Sequence, residues 1–404
     1  MGSVSRRVVV KFGGGELTSG KAFKEAAKMV KDSGYREIVV VVSAMKGATD
    51  NLIKYMSEVG KVEDSDYSDI VAMGERTSAR ILCSALKSVG VRSTYFDPQQ
   101  EHWPIITDSN FRDATPEINE TRRMVRKYLE PILGDFVPVI CGFIGKDKKG
   151  HITTLGRGGS DITATLLGNC LKADEVILVK NTNGVLSADP KFVSNAKPLE
   201  RVTIEEMFSL AQGGAKIIHP EALKYKLPEQ RLRVVGFPGS LSSNGTEIVG
   251  VFRANPVDVR KHHGLAAITL VGEVNPSNLS RVLQVFDGRK IFGMGTSRNS
   301  LTVFVDVKNP ERVLNKICRL NCFKAVSLRE NVGAIELVSP SFVDSPGWVA
   351  KVSGALADKT INILEVITNK ASITVFVDED KMDEALIAVK AKLSEAAERV
   401  NFHD

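Results

Sequence analysis

Two strings recur in the last third of the chain. AAITLV at 266–271 returns as GAIELV at 333–338, and SLTVFVD at 300–306 returns as SITVFVD at 372–378. Each pair encloses a helical stretch (278–286 and 346–357), and a further helix follows each second string. A repeat of about 70 residues with the order βαββα is two copies of one small α+β unit. A unit of that size has too little core to stand alone, so the copies are expected to pack on each other and on a partner subunit. The segment 252–264, FRANPVDVRKHHG, reads as the linker in front of them, with His262 and His263 as linker residues rather than metal ligands.

The preceding 255 residues follow another rule. RRVVVKFG is rich in β-branched residues and runs into the glycines at 13–15. Phe23, Ala26, Ala27 and Val30 then form the i, i+3, i+4, i+7 stripe of a core-facing helix, with Gly34 as its stop. EIVVVVS at 37–43 is a continuous apolar run, as expected of a strand covered on both faces. Further strands are expected at 93–97, 136–142, 175–180, 232–236 and 247–251. Helices are expected at about 68–89, 117–130, 160–171, 204–211 and 219–225. This alternation is that of an α/β layer fold with a mainly parallel central sheet.

Several function classes drop out. The 54 basic and 48 acidic residues leave a net charge of +6 with no basic block, so nucleic acid is not an expected partner. No apolar run approaches the ~20 residues that span a bilayer, and the N-terminus lacks a signal-peptide core. The five cysteines are scattered and odd in number, and none is joined by a histidine at zinc spacing. They read as reduced thiols of a cytoplasmic protein, and no metal site is expected.

Five clusters stand at the expected strand ends: KFGGGE (11–16), SAMKGATD (43–50), GFIG (142–145), GRGGSD (156–161) and KNTNGVLSADPK (180–191). In parallel α/β sheets these ends converge on the ligand crevice. Glycine lets backbone approach a ligand, and an arginine among glycines can grip a carboxylate or phosphate with two parallel bonds. Glu75 in AMGERTSA and Lys216 in GGAKIIHP add a carboxylate and an ammonium. Phosphate binding is suggested, yet no P-loop and no protein-kinase H-R-D motif is present. Taken singly, Glu75 also reads as an exposed helix residue, Asp161 as a helix-cap partner beside Ser160, and Lys11 as an edge-strand charge.

As a set in this order, VSAMKGATD, GERTSA, GFIG, TTLGRGGSD, GVLSADP and GAKIIHP, behind an opening Lys11-Phe12-Gly13-Gly14, resemble the aspartate kinases of the amino-acid kinase family. The likeness runs from residue 8 to about 255, and the repeat resembles the pair of ACT domains such enzymes carry. It implies a three-layer αβα kinase domain at 1–255 and two ACT (βαββαβ) domains at 265–330 and 331–404, with interleaving of the two left open. It further implies transfer of phosphoryl from ATP with Mg2+ to L-aspartate, giving 4-phospho-L-aspartate for lysine, threonine and methionine biosynthesis. The alternatives are a sister kinase of another acceptor and a non-catalytic amino-acid-sensing subunit.

The resemblance also implies roles. Lys11 would stabilise the transferring phosphoryl group and Asp161 would orient Lys11 or help hold the metal–nucleotide. Arg157 would clamp the unreactive carboxylate of aspartate, Glu75 its ammonium, and Thr49, Phe143 and Ser160 would shape the pocket. Gly13, Gly14, Lys180, Asn181, Leu186, Lys191 and Lys216 would hold the nucleotide. Lysine or threonine is the implied effector at the ACT pair, and a homodimer or a dimer of dimers the implied assembly. Five positions depart from the family pattern: Gly15-Glu16 stands for Thr-Ser, Asn181 and Asn183 stand in the nucleotide loop for acidic or proline residues, and Leu186 stands for tyrosine.

Overall fold

A computed structural model describes residues 6–212, 217–250, 257–339, 342, 347–369 and 372–401. The chain divides into two compact units, residues 1–253 and 254–404.

The first unit opens with β1 (Arg7–Phe12), α1 (Gly20–Asp32), β2 (Glu37–Val42), α2 (Ala48–Val59), α3 (Asp64–Ser88) and β3 (Ser93–Phe96). Next come α4 (Ile118–Met124), β4 (Val137–Cys141), the short hairpin β5 (Ile144–Lys146) and β6 (Ile152–Thr154), and α5 (Gly159–Cys170). It closes with β7 (Glu175–Lys180), β8 (Arg201–Thr203), α6 (Ile204–Gln212), α7 (Pro220–Leu223), β9 (Arg231–Gly236) and β10 (Thr246–Val249). Eight of these strands form one sheet in the order β3-β4-β2-β1-β7-β9-β10-β8. All neighbours are parallel except β9 and β10, so the sheet is mainly parallel as the alternation predicts.

Local sequence explains the elements. Ser19 caps α1 by accepting from the Ala22 amide at 3.3 Å, and the predicted stripe Phe23, Ala26, Ala27, Val30 is buried. Gly34 adopts φ +70° just past the helix, where the αL conformation ends helices cheaply. Val8–Val10 and Val39–Val42 are fully buried, so β1 and β2 are covered on both faces. The helix expected over 117–130 is α4 followed by a π turn at Val125–Leu129 and a 3₁₀ turn through Pro131, which cannot continue a ladder. α2 escapes periodicity because it buries only Met56. The hairpin and β8 escape because three residues carry no alternation.

The second unit comprises β11 (Asp258–Val271), α8 (Pro276–Val285), β12 (Ile291–Thr296), β13 (Ser300–Asp306), α9 (Pro310–Leu320), β14 (Ala325–Val338), α10 (Trp348–Ala357), β15 (Glu365–Asn369), β16 (Ser372–Asp378) and α11 (Met382–Asn401). One antiparallel sheet runs β12-β13-β11-β14-β16-β15. The two 14-residue strands are shared between the copies. Residues 265–271 of β11 pair with β13, and with 325–332 of β14. Residues 258–262 pair instead with 334–338, beside β16. The first copy is therefore closed by the strand that follows it, and the second by the strand that precedes the first. The break falls at a bulge after His262, next to Gly264 with φ +66°.

The expected linker is thus strand from Asp258 on, and His262 and His263 lie 3.3 and 3.4 Å from Glu336 and Glu379. Residues 251–256 lie outside the described part. Helices cover one face of each copy: Ile268, Val303 and Val313 sit in one core and Ile335, Val375 and Leu356 in another. The opposite faces meet in a third cluster where the Phe304 and Phe376 rings stack with centroids 3.7 Å apart. All five cysteines are free; Cys83, Cys141 and Cys170 are buried, whereas Cys318 is exposed. Among the described residues no helix is long and apolar enough to cross a membrane.

Candidate active site

The carboxyl ends of β1 and β7, neighbours at the centre of the sheet, deliver Lys11 and Lys180 to one place. The chain moves to one side of β1 with β2 and to the other with β7, so this is a topological switch point, where α/β sheets open a crevice. The helix α5, which packs on both strands, presents its first turn there. Lys11 Nζ lies 2.8 Å from Asp161 Oδ1, and Lys180 Nζ 3.7 Å from the same oxygen. Burial opposes ionisation of Asp161, but Lys11, Lys180 and the His219 amide outweigh it and hold the carboxyl down to about 2. Lys180 is lowered as well: burial disfavours its charged form, with Asp161 opposing.

Lys11 is 5% exposed and stands in a central strand, not at an edge. Asp161 lies in the first turn of α5, whose N-cap is Gly158, so it is no cap residue. Glu75 is 4% exposed, which removes its reading as a surface residue. It reaches the crevice because Gly74 lets α3 touch the loop after β2: a Cβ there would stand 2.7 Å from the Ala44 Cβ. The Ala44 amide donates to Glu75 Oε1 at 3.0 Å, while Oε2 has no hydrogen-bond partner among the described residues. Burial pushes Glu75 up to about 7, against the Ala44 hydrogen bond, its own amide and the Lys11 charge.

Lys11, Asp161 and Glu75 line one cleft of about 310 Å³. Lys11, Thr49, Glu75, Phe143, Ser160 and Asp161 all face it, together with Gly156, Gly158 and Gly159. Phe143 holds φ +68°, rare for an aromatic residue, fixed by the Thr163 hydroxyl accepting from its amide at 3.1 Å. Backbone held in a sparse region beside a cleft is the kind of strain found at functional sites.

Arg157 is placed differently. It stands between two lining glycines, but its side chain is exposed and does not line the cleft. The glycines around it answer to the protein itself. Gly156 (φ +64°) and Gly158 (φ +73°) sit where a Cβ would lie 2.0 Å from Asp113 Oδ1 and 2.1 Å from the His219 Cβ. Asp113 and His219 therefore belong to the site's frame; sequence reasoning missed both, although His219 closes the GAKIIHP string it had used.

The nucleotide candidates are partly gathered. Gly13 and Gly14 pass close to Glu16 Oε2 and to the Ala44 carbonyl, 2.3 and 2.4 Å from their would-be Cβ atoms. The Asn181 amide donates to the Gly15 carbonyl at 3.3 Å. Leu186 bridges to Pro198, and Lys191 is exposed in a turn closed by Asp189. Lys216 lies outside the described residues. No three His, Cys, Asp or Glu side chains stand together as a metal cage among the described residues.

Residues 6–235 match the amino acid kinase family and residues 327–391 an ACT domain. An aspartokinase of Rickettsia felis is 34% identical over 230 residues, 54% of this chain and 56% of the relative. An aspartokinase of Corynebacterium glutamicum is 29% identical over 405 residues, covering 95% of this chain and 94% of the relative. The crystal structure of an aspartate kinase from Synechocystis superposes with a TM-score of 0.78 at 24% identity, over 96% of this chain and 69% of that one, a likeness of fold.

Proposed function

The chain belongs to the amino acid kinase family, and from that premise we propose that it is an aspartate kinase. A side-chain carboxylate oxygen of L-aspartate attacks the γ-phosphorus of ATP, the bond to the β,γ-bridging oxygen breaks, and 4-phospho-L-aspartate and ADP leave. The observation that carries this reading is the pairing, in one cleft, of the Lys11–Asp161 ion pair with a buried glutamate that has one oxygen unpartnered. An amino acid needs such an acceptor for its ammonium, and a transferring phosphoryl group needs such a cation.

The attacking carboxylate is already ionised at neutral pH, so the site needs no strong general base; catalysis is positioning and charge neutralisation. Glu75 Oε2 takes the substrate ammonium while Ala44 fixes Oε1. Arg157, between two glycines and without an ion pair among the described residues, takes the carboxylate that does not react, and Thr49, Phe143 and Ser160 shape the pocket between. Lys11 meets the charge that develops on the phosphoryl oxygens, and Asp161, 2.8 Å away, holds Lys11 in place. Gly13, Gly14, Lys180, Asn181, Leu186, Lys191 and Lys216 are the nucleotide side.

Mg2+ fits this donor set: it takes hard oxygens and prefers one or two carboxylates plus phosphates to a full protein cage, and Asp161 is a buried carboxylate beside the two lysines. It would supply charge neutralisation to the polyphosphate.

We assign residues 1–255 to catalysis and 265–330 and 331–404 to two regulatory ACT domains, the second completed by 258–262, in a homodimer answering to lysine or threonine. A coupled ADP-release assay tests the activity: release should require aspartate and fail with glutamate or N-acetylglutamate. Binding of an amino acid with no ADP release would make the chain a sensing subunit instead. Inhibition curves with lysine and threonine test the regulation.

A further inference from the structure

The turn after β1 folds a second carboxylate in beside the Lys11–Asp161 pair at the edge of the cleft. The amides of Glu16 and Leu17 both donate to the Gly13 carbonyl, at 3.3 and 3.2 Å, and this tight turn points the Glu16 side chain back toward Lys11. Glu16 Oε2 lies 2.3 Å from where a Gly13 Cβ would stand, and Lys11 Nζ lies 3.2 Å from the same point. Only glycine at 13 leaves room for both. Glu16 is 5% exposed, and its charge acts on Lys180 as well. Among the described residues it has no direct ion pair, since Lys11 and Lys180 both turn to Asp161.

Two ammoniums and two carboxylates therefore share the place where a polyphosphate would lie, and their charges cancel. We propose that Glu16 is a specificity-determining residue of this pocket, which makes it accept a nucleoside polyphosphate only together with a divalent cation. The proposal rests on the kinase reading above. Bare ADP or ATP brings three or four negative charges against Glu16 in a partly dehydrated crevice, where repulsion is strong. A bound divalent cation removes two of those charges and offers Glu16 an attractive neighbour of the kind Mg2+ favours.

Asn181 fits the same device. Its amide donates to the Gly15 carbonyl, next to Glu16, a bond that an aspartate carboxylate could not make. Gly15, Glu16 and Asn181, which read along the sequence as scattered departures, are one physical unit that sets where the extra carboxylate stands.

Calorimetric titration of the full chain with ADP, in Mg2+ and in EDTA, tests this. Glu16→Gln should bind metal-free ADP ~10-fold more tightly than the unaltered protein and MgADP within about 3-fold of it, so the preference for the metal form falls by roughly an order of magnitude. Glu16→Asp, which keeps the charge, should retain most of that preference. If Glu16→Gln does not fold, Glu16→Ser carries the same expectation. An equal change in both affinities, or no change in either, overturns the proposal while leaving the kinase reading intact. An unaltered protein that binds ADP under neither condition overturns the kinase reading and this inference with it.

Discussion

Between Arg7 and Val249 the interior holds lysine, arginine, aspartate and glutamate side chains among its apolar ones, whereas between Val257 and Val389 every buried polar residue described is a serine or threonine. The second unit is a packing device: three apolar clusters on one sheet. The first unit keeps buried charges in two conditions. Arg76 binds Asp97 at 3.0 Å, and Arg80 joins the same carboxylate at 2.6 Å. Arg233 binds Glu175, which starts β7 at the end of the strand away from the cleft, and also the carbonyls of Leu241 and Ser243. Those charges are saturated. At the cleft, among the described residues, Glu75 has one oxygen without a hydrogen-bond partner, and beside it Glu16 has no direct ion pair. Buried charge is costly unless paired, so charge left unsaturated at strand ends marks where a ligand completes the set, and saturated charge marks scaffold.

Substitutions can break that contrast. The largest effect is expected at Lys11: Lys11→Ala should lower kcat roughly 10³-fold with little change in the KM for aspartate, since its charge is needed where the phosphoryl group transfers. A raised KM at unchanged kcat would make Lys11 a ground-state binder. The matching test in the other unit is Phe376→Ala, which removes one ring of the stack joining the two copies. It should cost about 3–5 kcal/mol of that unit's stability, read by denaturant unfolding, and leave ADP affinity unchanged. Arg157→Ala should then cost on the order of 30- to 1000-fold in kcat/KM for aspartate without altering the melting temperature, because an exposed arginine with no ion pair among the described residues contributes little to the fold. A clear loss of stability would show that it is held somewhere inside.

The two units also differ in how much their sequences disclose. In the first, β1, β2 and α1 follow directly from apolar runs, the stripe and its glycine stop, because local pattern and final burial agree. The cleft was legible as strand-end clusters, and Lys11, Glu75, Ser160 and Asp161 do meet. What stayed hidden depends on three-dimensional proximity: Asp113 and His219 act by filling space beside glycines far along the chain, and Glu16 is brought to Lys11 by a turn. In the second unit the repeat gave the elements but not their partners. The strings 266–271 and 333–338 mark only half of each long strand, and nothing in 258–262 announces that this stretch completes the sheet of the second copy.

Glu75 offers the finest test of unsaturated against saturated charge, because it should make stability and activity move in opposite directions with pH. Its folded-state pKa is raised from 4.5 to about 7, with burial as the main cause. The folded state thus holds the proton more tightly than the unfolded chain does. The resulting stability is fully present below about 4.5 and is lost as pH rises through about 7, by at most about 3 kcal/mol. Activity should run the other way, since only the ionised carboxylate can hold the aspartate ammonium, so kcat/KM for aspartate should climb to a plateau above about pH 7. Glu75→Gln removes both slopes. It should match the unaltered protein in unfolding midpoint near pH 5, exceed it near pH 8, and show weak aspartate turnover without the rising limb. Asp97, saturated by Arg76 and Arg80 and held below its usual range by them and by the Gln99 amide despite burial, supplies the control: its contribution is present above the ordinary carboxylate range and is lost only on acidification. Parallel unfolding curves for Glu75→Gln and the unaltered protein from pH 5 to 8 would place Glu75 among the saturated charges and remove it from the substrate site.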